Sequence, residues 1–309
     1  MTADLFARRL TNFRPEGELC AFNIAAVAEA LDIIADLNHK NVGGETVQQR
    51  LGEYKSWDPE VFRVDKDCED GFRRRLEAWG KPVVLLSEEA ERVEIHTDKG
   101  TPCYCVADPF DGSYLFKRGI PDFWYSSLAF FSNTFEPLCC SVGDGVHRNI
   151  AFANENGAFL AHLDGEHLTH KVRLNAEYRK LMGRPDVTEL ASASIESYAM
   201  KPKKFLVPLV EKWKALIEPF KFFLPNGGPY GFVDVAEGKI DAYFAVRQPF
   251  VDIFSGIQVA LQAEVVVSDF DGRPVRCEDN VHGLYDVVAS TNRKLHDQVL
   301  SLISKCRKG

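Results

Sequence analysis

Two carboxylates stand three positions apart in the sequence ADPFDGS, which covers residues 107 to 113. A proline separates Asp108 from Asp111, and its ring holds φ at about −65°, which restricts the directions in which the carboxylates point. Gly112 and Ser113 follow, and glycine lets the backbone approach a ligand closely, while a helix start offers unpaired N–H groups to an anion. The segment is typical either of an ordinary Asp-Pro-Gly turn or of a site for a cation and a phosphate.

Acidic residues also follow two other apolar runs. The run VVLLS leads to Glu88 and Glu89, and FAVRQPFV leads to Asp252. The sequence therefore predicts three strands that deliver carboxylates at their C-terminal ends. Two carboxylates 4 Å apart repel by about 4 kcal/mol at an effective dielectric constant near 20, so such a cluster requires cations. Oxygen ligands without a histidine or cysteine cage favour magnesium.

The elements that position these residues are predicted from periodicity. Apolar spacing indicates helices over about Glu16 to Leu37 and about Asp67 to Trp79, and a third helix directly after Asp252. The aromatic run Phe123 to Phe131 is typical of a core strand. The charged segment Thr169 to Asp186 is the candidate junction between two lobes.

Composition limits the class of protein. A chain of 309 residues, 45% hydrophobic, is long enough for two packed lobes. Its formal charge of −8 argues against a nucleic-acid partner. No apolar run is long enough to cross a bilayer, and the N-terminus lacks a secretory pattern, so a soluble cytoplasmic protein is expected. The eight cysteines lack paired CxxC spacing and are interpreted as reduced, mostly buried thiols.

The acidic motifs resemble those of a known superfamily. DPFDGS is similar to the Asp-Pro-x-Asp-Gly-Thr/Ser signature of the inositol monophosphatase and fructose-1,6-bisphosphatase superfamily of magnesium-dependent, lithium-inhibitable phosphatases. Four further segments resemble superfamily motifs in the right order between about residues 60 and 275: VDKDCEDGFRRRL, SEE, FANENGAFL and VDVAEGKIDAYFAVRQPFVDIFSG. The strings RGIP and RQPFVDI are most similar to the archaeal-type enzymes that hydrolyse both fructose 1,6-bisphosphate and inositol phosphates.

The resemblance implies a fold and an assembly. The expected fold is a layered αβαβα sandwich of mixed α+β and α/β character. Residues 1–172 would form an N-terminal α+β domain with most metal ligands, and residues 173–309 a C-terminal α/β domain that closes the active site. A homodimer is also implied, with a small phosphate ester as substrate and no membrane partner.

The resemblance also assigns roles to residues. Two or three Mg²⁺ ions would be held by carboxylates and one backbone carbonyl: Glu88, Asp108, the carbonyl of Phe110, Asp111 and Asp252. Gly112 and Ser113 would give amides to the phosphate, while Asp65 and the Ser113 hydroxyl would orient the attacking water, with Glu88 also counted as catalytic and Glu89 behind it. Arg247 is a candidate contact for a second phosphate or a dimer partner, or a solvated side chain.

The implied activity is magnesium-dependent hydrolysis of a phosphate monoester of a small sugar or polyol, inositol 1-phosphate or fructose 1,6-bisphosphate, by an activated water. The alternatives are a 3′-phosphonucleotide phosphatase and a catalytically weak phosphate-binding regulatory homologue. The sequence departs from superfamily patterns at several positions: Val251 stands for tryptophan, Ser113 for threonine, Ala245 for a glutamate that contacts inositol, and QAEV (residues 262–265) for Glu-Ala-Gly-Gly.

Overall fold

The computed structural model describes residues 17–50, 56, 58–165 and 167–308. Within these residues the chain forms eight α-helices: α1 (Glu18–His39), α2 (Arg63–Trp79), α3 (Ser113–Lys117), α4 (Ala176–Leu181), α5 (Val207–Ile217), α6 (Gly228–Glu237), α7 (Phe250–Gln262) and α8 (Arg293–Lys308). It also forms fifteen strands: β1 (Thr46–Gln49), β2 (Glu60–Phe62), β3 (Val83–Ser87), β4 (Glu91–Ile95), β5 (Cys103–Asp111), β6 (Tyr125–Phe131), β7 (Pro137–Asp144), β8 (Asn149–Asn154), β9 (Gly157–Asp164), β10 (His167–Leu174), β11 (Ser194–Glu196), β12 (Phe222–Leu224), β13 (Ala242–Pro249), β14 (Val266–Asp269) and β15 (Leu284–Ser290).

The strands form two large sheets and one small hairpin. The first sheet has eight strands in the order β10-β9-β8-β7-β6-β5-β3-β4, and its strands pair antiparallel except β3 with β5. The second sheet has five strands in the order β12-β11-β13-β15-β14, with β11 parallel to both of its neighbours. Strands β1 and β2 pair with each other to form the hairpin.

Three hydrophobic clusters fill the spaces between five layers. One cluster joins α1 and α2 to one face of the first sheet. Helices α6 and α7 lie on the opposite face and pack also against β13 and β15 of the second sheet. The third cluster covers the far face of the second sheet with α5 and α8. The order of layers is therefore α, β, α, β, α, as the family resemblance implied.

Helix α2 begins four residues before its predicted start at Asp67. Asp65 occupies the third helical position, and its Oδ2 accepts the backbone N–H of Phe62 at 2.7 Å, which satisfies one of the unpaired amides of a helix start. Gly80 ends the helix with φ 72°. The earlier start places Asp65 inside the helix, on rigid backbone.

The other predicted elements agree with the structure more closely. Strand β6 lies within the predicted run from Phe123 to Phe131, and all of its residues are buried. Helix α1 extends to His39, and its predicted first residue, Glu16, lies outside the described residues. The prediction that a helix begins after Asp252 was wrong by a few residues, because α7 begins at Phe250.

The chain leaves the first sheet at Leu174 and enters the second at Ser194. The expected domain boundary between residues 172 and 173 falls within β10. All eight cysteines are free thiols, and six of them are buried. Among the described helices, none combines the length and the apolar character that a bilayer crossing requires.

Helices α6 and α7 cross at a glycine. A Cβ on Gly256 would lie 2.2 Å from the carbonyl oxygen of Pro229 and 2.9 Å from Cδ2 of Phe232. Neither neighbour can move without shifting α6, so we expect Gly256→Ala to destabilise the protein by about 2–3 kcal/mol through overpacking. Urea denaturation followed by circular dichroism measures this loss.

Gly71→Ala is the matched control, because Gly71 is also helical and its Cβ would meet only flexible side-chain ends, that of Ile33 at 3.1 Å and that of Arg74 at 3.9 Å. Alanine favours a helix over glycine by about 1 kcal/mol, so this variant should stay within about 1 kcal/mol of the wild type. Equal stability of the two variants would contradict the close approach of α6 and α7.

Candidate active site

Three carboxylates from three elements converge near the C-terminal ends of β3 and β5, two neighbouring strands of the first sheet. Glu88 directly follows β3, Asp108 lies in β5, and Asp252 lies in the first turn of α7; their nearest carboxylate oxygens all lie within 4.8 Å of one another. Strands β3 and β5 are parallel and pair Ser87 with Ala107, so Glu88 and Asp108, the next residue in each chain segment, lie side by side. Helix α7 brings Asp252 across from the layer behind the sheet.

The donor set of this carboxylate group fits a hard divalent ion. Three carboxylates at 4.8 Å repel one another by about 3–4 kcal/mol per pair at an effective dielectric constant near 20. All the donors are oxygens, and no histidine or cysteine of the described residues joins the group. Such a set suits Mg²⁺, Ca²⁺ or Mn²⁺ and not Zn²⁺ or copper.

Buried Asp65 and half-buried Ser113 form a hydrogen-bonded pair near these carboxylates. The Ser113 hydroxyl donates to Oδ1 of Asp65 at 2.6 Å, while the other Asp65 oxygen is held by the amide of Phe62. The pKa of the Asp65 carboxyl is raised to about 7, chiefly by burial; the hydrogen bonds from Ser113 and Phe62 oppose this rise, and the charge of Glu88 adds to it. The pair is therefore fixed in place and close enough to Glu88 to feel its charge.

Gly112 turns the chain from β5 into α3. Its φ is 99°, and a Cβ at this position would lie 2.0 Å from the carbonyl oxygen of Phe123. No other residue type fits this position without displacing the neighbouring loop. The turn places Ser113 at the first position of α3, where its hydroxyl reaches Asp65.

Asp111 ends β5 but lies outside the group of three carboxylates. The pairing of β5 with β6 shifts register between Asp108 and Asp111, so the two carboxylates do not follow the regular alternation of a strand. Oδ2 of Asp111 lies 2.2 Å from where a Cβ of Gly228 would be, which places it against the start of α6.

The Phe110 ring is buried and packs edge-on against Phe116, so only the backbone of Phe110 remains for a ligand.

Arg50 is the site residue that the sequence analysis missed. Its Nη2 donates to Oε1 of Glu88 at 3.0 Å and to Glu89, and all three side chains are largely buried. Arg50 stands 38 residues before Glu88, directly after β1, in a segment without a recognised motif. The sequence held one indirect signal for Arg50: a predicted cluster of carboxylates requires cations, and a basic side chain of the protein can be one of them.

Arg247 lies apart from the carboxylates, in a cavity of about 180 Å³ in the second lobe. Lys204 and Lys212 also line the cavity, together with Tyr198 and apolar side chains. Tyr198 also contacts the start of α6, because its Cβ lies 2.7 Å from where a Cβ of Gly227 would be, one residue before the glycine that faces Asp111. The cavity is basic, because three cationic side chains belong to its lining.

Two of the departures from the superfamily pattern lie in the core. Val251 and Ala245 are fully buried between the two sheets. At these positions the chain offers apolar packing and no polar contact.

Comparisons with known proteins agree with this geometry. No family model matches the chain. The chain is 26% identical over 276 residues to a fructose-1,6-bisphosphatase/inositol-1-monophosphatase of Thermococcus kodakarensis, covering 88% of this chain and 94% of that protein. It is 27% identical over 285 residues to a fructose-1,6-bisphosphatase of Pyrococcus furiosus, covering 89% and 96%.

Solved structures show the same fold. The extragenic suppressor protein SuhB of Bartonella henselae matches with a TM-score of 0.72 at 17% identity, covering 94% of this chain and 99% of that chain. The relatives and structural neighbours of this chain are inositol monophosphatases, fructose-1,6-bisphosphatases and SuhB proteins, including archaeal dual-activity enzymes. The predicted resemblance to the inositol monophosphatase and fructose-1,6-bisphosphatase superfamily and the predicted layered fold are thereby confirmed.

Removal of one carboxylate tests the metal site without any substrate. In EDTA, Asp252→Asn should have a melting temperature equal to or above that of the wild type, because the change relieves repulsion. With Mg²⁺ the wild type should gain stability by mass action, and the variant should gain much less. Differential scanning fluorimetry with and without Mg²⁺ measures both effects.

Asp297→Asn is the control, because Asp297 is exposed on α8 and pairs only with Arg293 at 3.8 Å. Its Mg²⁺ response should match that of the wild type. If Asp252→Asn retained the full Mg²⁺ response, Asp252 would be excluded as a ligand.

Proposed function

We propose that this protein is a divalent-metal-dependent phosphatase that hydrolyses a phosphate monoester of a small sugar or polyol. The observation that carries the proposal is the group of three converging carboxylates, Glu88, Asp108 and Asp252, with the Asp65–Ser113 pair beside it. The named relatives are phosphatases of the inositol monophosphatase and fructose-1,6-bisphosphatase type, which supports a phosphoric monoester hydrolase.

The proposed ion ligands are those the sequence resemblance implied. Glu88, Asp108 and Asp252 would hold Mg²⁺, with Asp111 and the Phe110 carbonyl completing two or three ion sites. When bound, such ions lower the pKa of a water and neutralise charge on the phosphoryl group. The amides of Gly112 and Ser113 would bind phosphate oxygens at the fixed turn after β5.

Ser113 would orient the attacking water and not act as the nucleophile. Its hydroxyl proton is donated to Asp65, so the lone pairs of its oxygen remain available to accept a hydrogen bond from a water. A water held in this way would keep a lone pair directed away from Ser113 and available to attack the phosphorus. Direct attack by water needs no covalent intermediate on the enzyme.

The basic cavity around Arg247 supports a substrate with two phosphates. Three cations, Lys204, Lys212 and Arg247, line one small compartment in a protein of net negative charge. Within this proposal the cavity would receive a second phosphate while the first lies at the ions. This favours fructose 1,6-bisphosphate over inositol 1-phosphate, in line with the buried Ala245 at the position of the inositol-contacting glutamate.

The other activities considered have less support. The named phosphatase relatives do not favour the 3′-phosphonucleotide alternative. A relative named Nus factor SuhB, from Haemophilus influenzae, is 25% identical over 250 residues and keeps a regulatory role within consideration. We also propose that the protein is a homodimer, as the resemblance implied. Light scattering after size-exclusion chromatography would measure the molar mass of the assembly.

Phosphate release with and without Mg²⁺ tests the activity. The wild type should release phosphate from fructose 1,6-bisphosphate only with the metal, and Asp111→Asn should abolish turnover. The stability of this variant should stay within about 1–2 kcal/mol of the wild type, because asparagine has the same shape as aspartate and the change breaks no core packing. Binding of phosphate esters without turnover over a broad substrate panel would favour the regulatory homologue, and an active Asp111→Asn would remove Asp111 from the mechanism.

Variants of the basic cavity test the substrate. Arg247→Gln and Lys212→Gln should each raise KM for fructose 1,6-bisphosphate about tenfold or more, the size of one charge-assisted hydrogen bond, and leave KM for inositol 1-phosphate within about twofold. Lys214→Gln is the control, because Lys214 lies on the same helix but pairs with Glu218 at the surface. Equal effects on both substrates would contradict a second-phosphate site.

A further inference from the structure

Arg50 connects the β1–β2 hairpin to the carboxylate group. On the hairpin side, its Nη1 donates to the carbonyl oxygen of Asp58 at 2.6 Å and to that of Glu60 at 3.4 Å, and its own amide donates to Pro59 at 2.7 Å. These contacts close the hairpin across its two arms. The guanidinium is planar and holds its donors at fixed angles, so Nη2 is available to a second partner while Nη1 contacts the hairpin.

On the other side, the same guanidinium engages a metal-site carboxylate. Nη2 donates to Oε1 of Glu88 at 3.0 Å and to Oε1 of Glu89, and only 11% of the Arg50 side chain is exposed. Glu88 is one of the three residues whose oxygens lie within 4.8 Å of one another. One positive charge therefore already acts on the group that the proposed function assigns to divalent ions.

We propose that Arg50 competes with the divalent ion for Glu88, so that it lowers metal affinity and couples metal binding to the anchoring of the β1–β2 hairpin. The inference rests on the proposed function only in taking Glu88 as a metal ligand. The hydrogen bond occupies one lone pair of the Glu88 carboxylate, and the guanidinium repels a second cation brought to the same residue. Because coupling is reciprocal, a bound ion weakens the contact that holds the hairpin to the site.

A purely structural role for Arg50 gives a different expectation. The contacts to the carbonyls of Asp58 and Glu60 alone would close the hairpin. Loss of Arg50 would then lower stability and leave metal affinity unchanged, or weaken it through a misplaced Glu88. Competition predicts the opposite change in affinity.

Mn²⁺ titration calorimetry on the full chain tests this, with the Mg²⁺-induced rise in melting temperature as a second readout. Arg50→Gln should bind Mn²⁺ about tenfold more tightly than the wild type, and Arg50→Lys, which keeps the charge, should stay closer to the wild type. Arg63→Gln is the matched control, because Arg63 pairs with Glu45 beside the same hairpin in an exposed position and does not touch Glu88. Its affinity should stay within about twofold of the wild type.

Hydrogen exchange measures the coupling directly. Amides of Thr46–Gln49 and Glu60–Phe62 should exchange faster in the wild type when Mg²⁺ is added, and the added ion should change little in Arg50→Gln. Unchanged or weaker Mn²⁺ binding in Arg50→Gln would overturn the inference, as would greater protection of the hairpin with Mg²⁺.

These outcomes separate the two proposals. A wild type that releases phosphate with Mg²⁺, together with an Arg50→Gln variant of unchanged affinity, rejects the role of Arg50 and leaves the phosphatase standing. Tighter metal binding by Arg50→Gln without turnover by the wild type supports Arg50 and rejects the phosphatase. A wild type that binds neither Mn²⁺ nor Mg²⁺ rejects both.

Discussion

The structure depends on holding like charges together. Glu88, Asp108 and Asp252 bring their oxygens within 4.8 Å of one another, which costs several kcal/mol unless cations share the site. Flexible loops would separate such groups. Instead Glu88 and Asp108 stand on paired parallel strands, and Asp252 is held by a helix buried between two sheets. The repulsion is balanced by the packing of these elements.

Close backbone approach provides the remaining precision. At Gly112 a loop carbonyl fills the space of a side chain, at Gly228 the Asp111 carboxylate does so, and at Gly256 a carbonyl of the crossing helix does so. Each contact fixes the distance between a site residue and the element behind it. Metal-site geometry and core packing are thus set by the same backbone contacts.

Sequence reasoning succeeded where chemistry followed a strand end. Carboxylates were predicted at the C-terminal ends of strands; Glu88 directly follows β3, and the pairing of Ser87 with Ala107 places it beside Asp108. It missed Arg50, and it missed the lysines that line a cavity together with Arg247, because those contacts join segments far apart in the chain. No local period or motif encodes such contacts, which arise only when the layers pack.

The two lobes contribute different parts of the site. The first lobe supplies Glu88 and Asp108 together with the Asp65–Ser113 pair, all near the proposed reacting phosphate. The second supplies Asp252 and the separate basic cavity with Arg247. Under the proposed function, a change in the cavity would alter which phosphate ester fits without moving the carboxylates of the first lobe. The same fold would then accept different substrates.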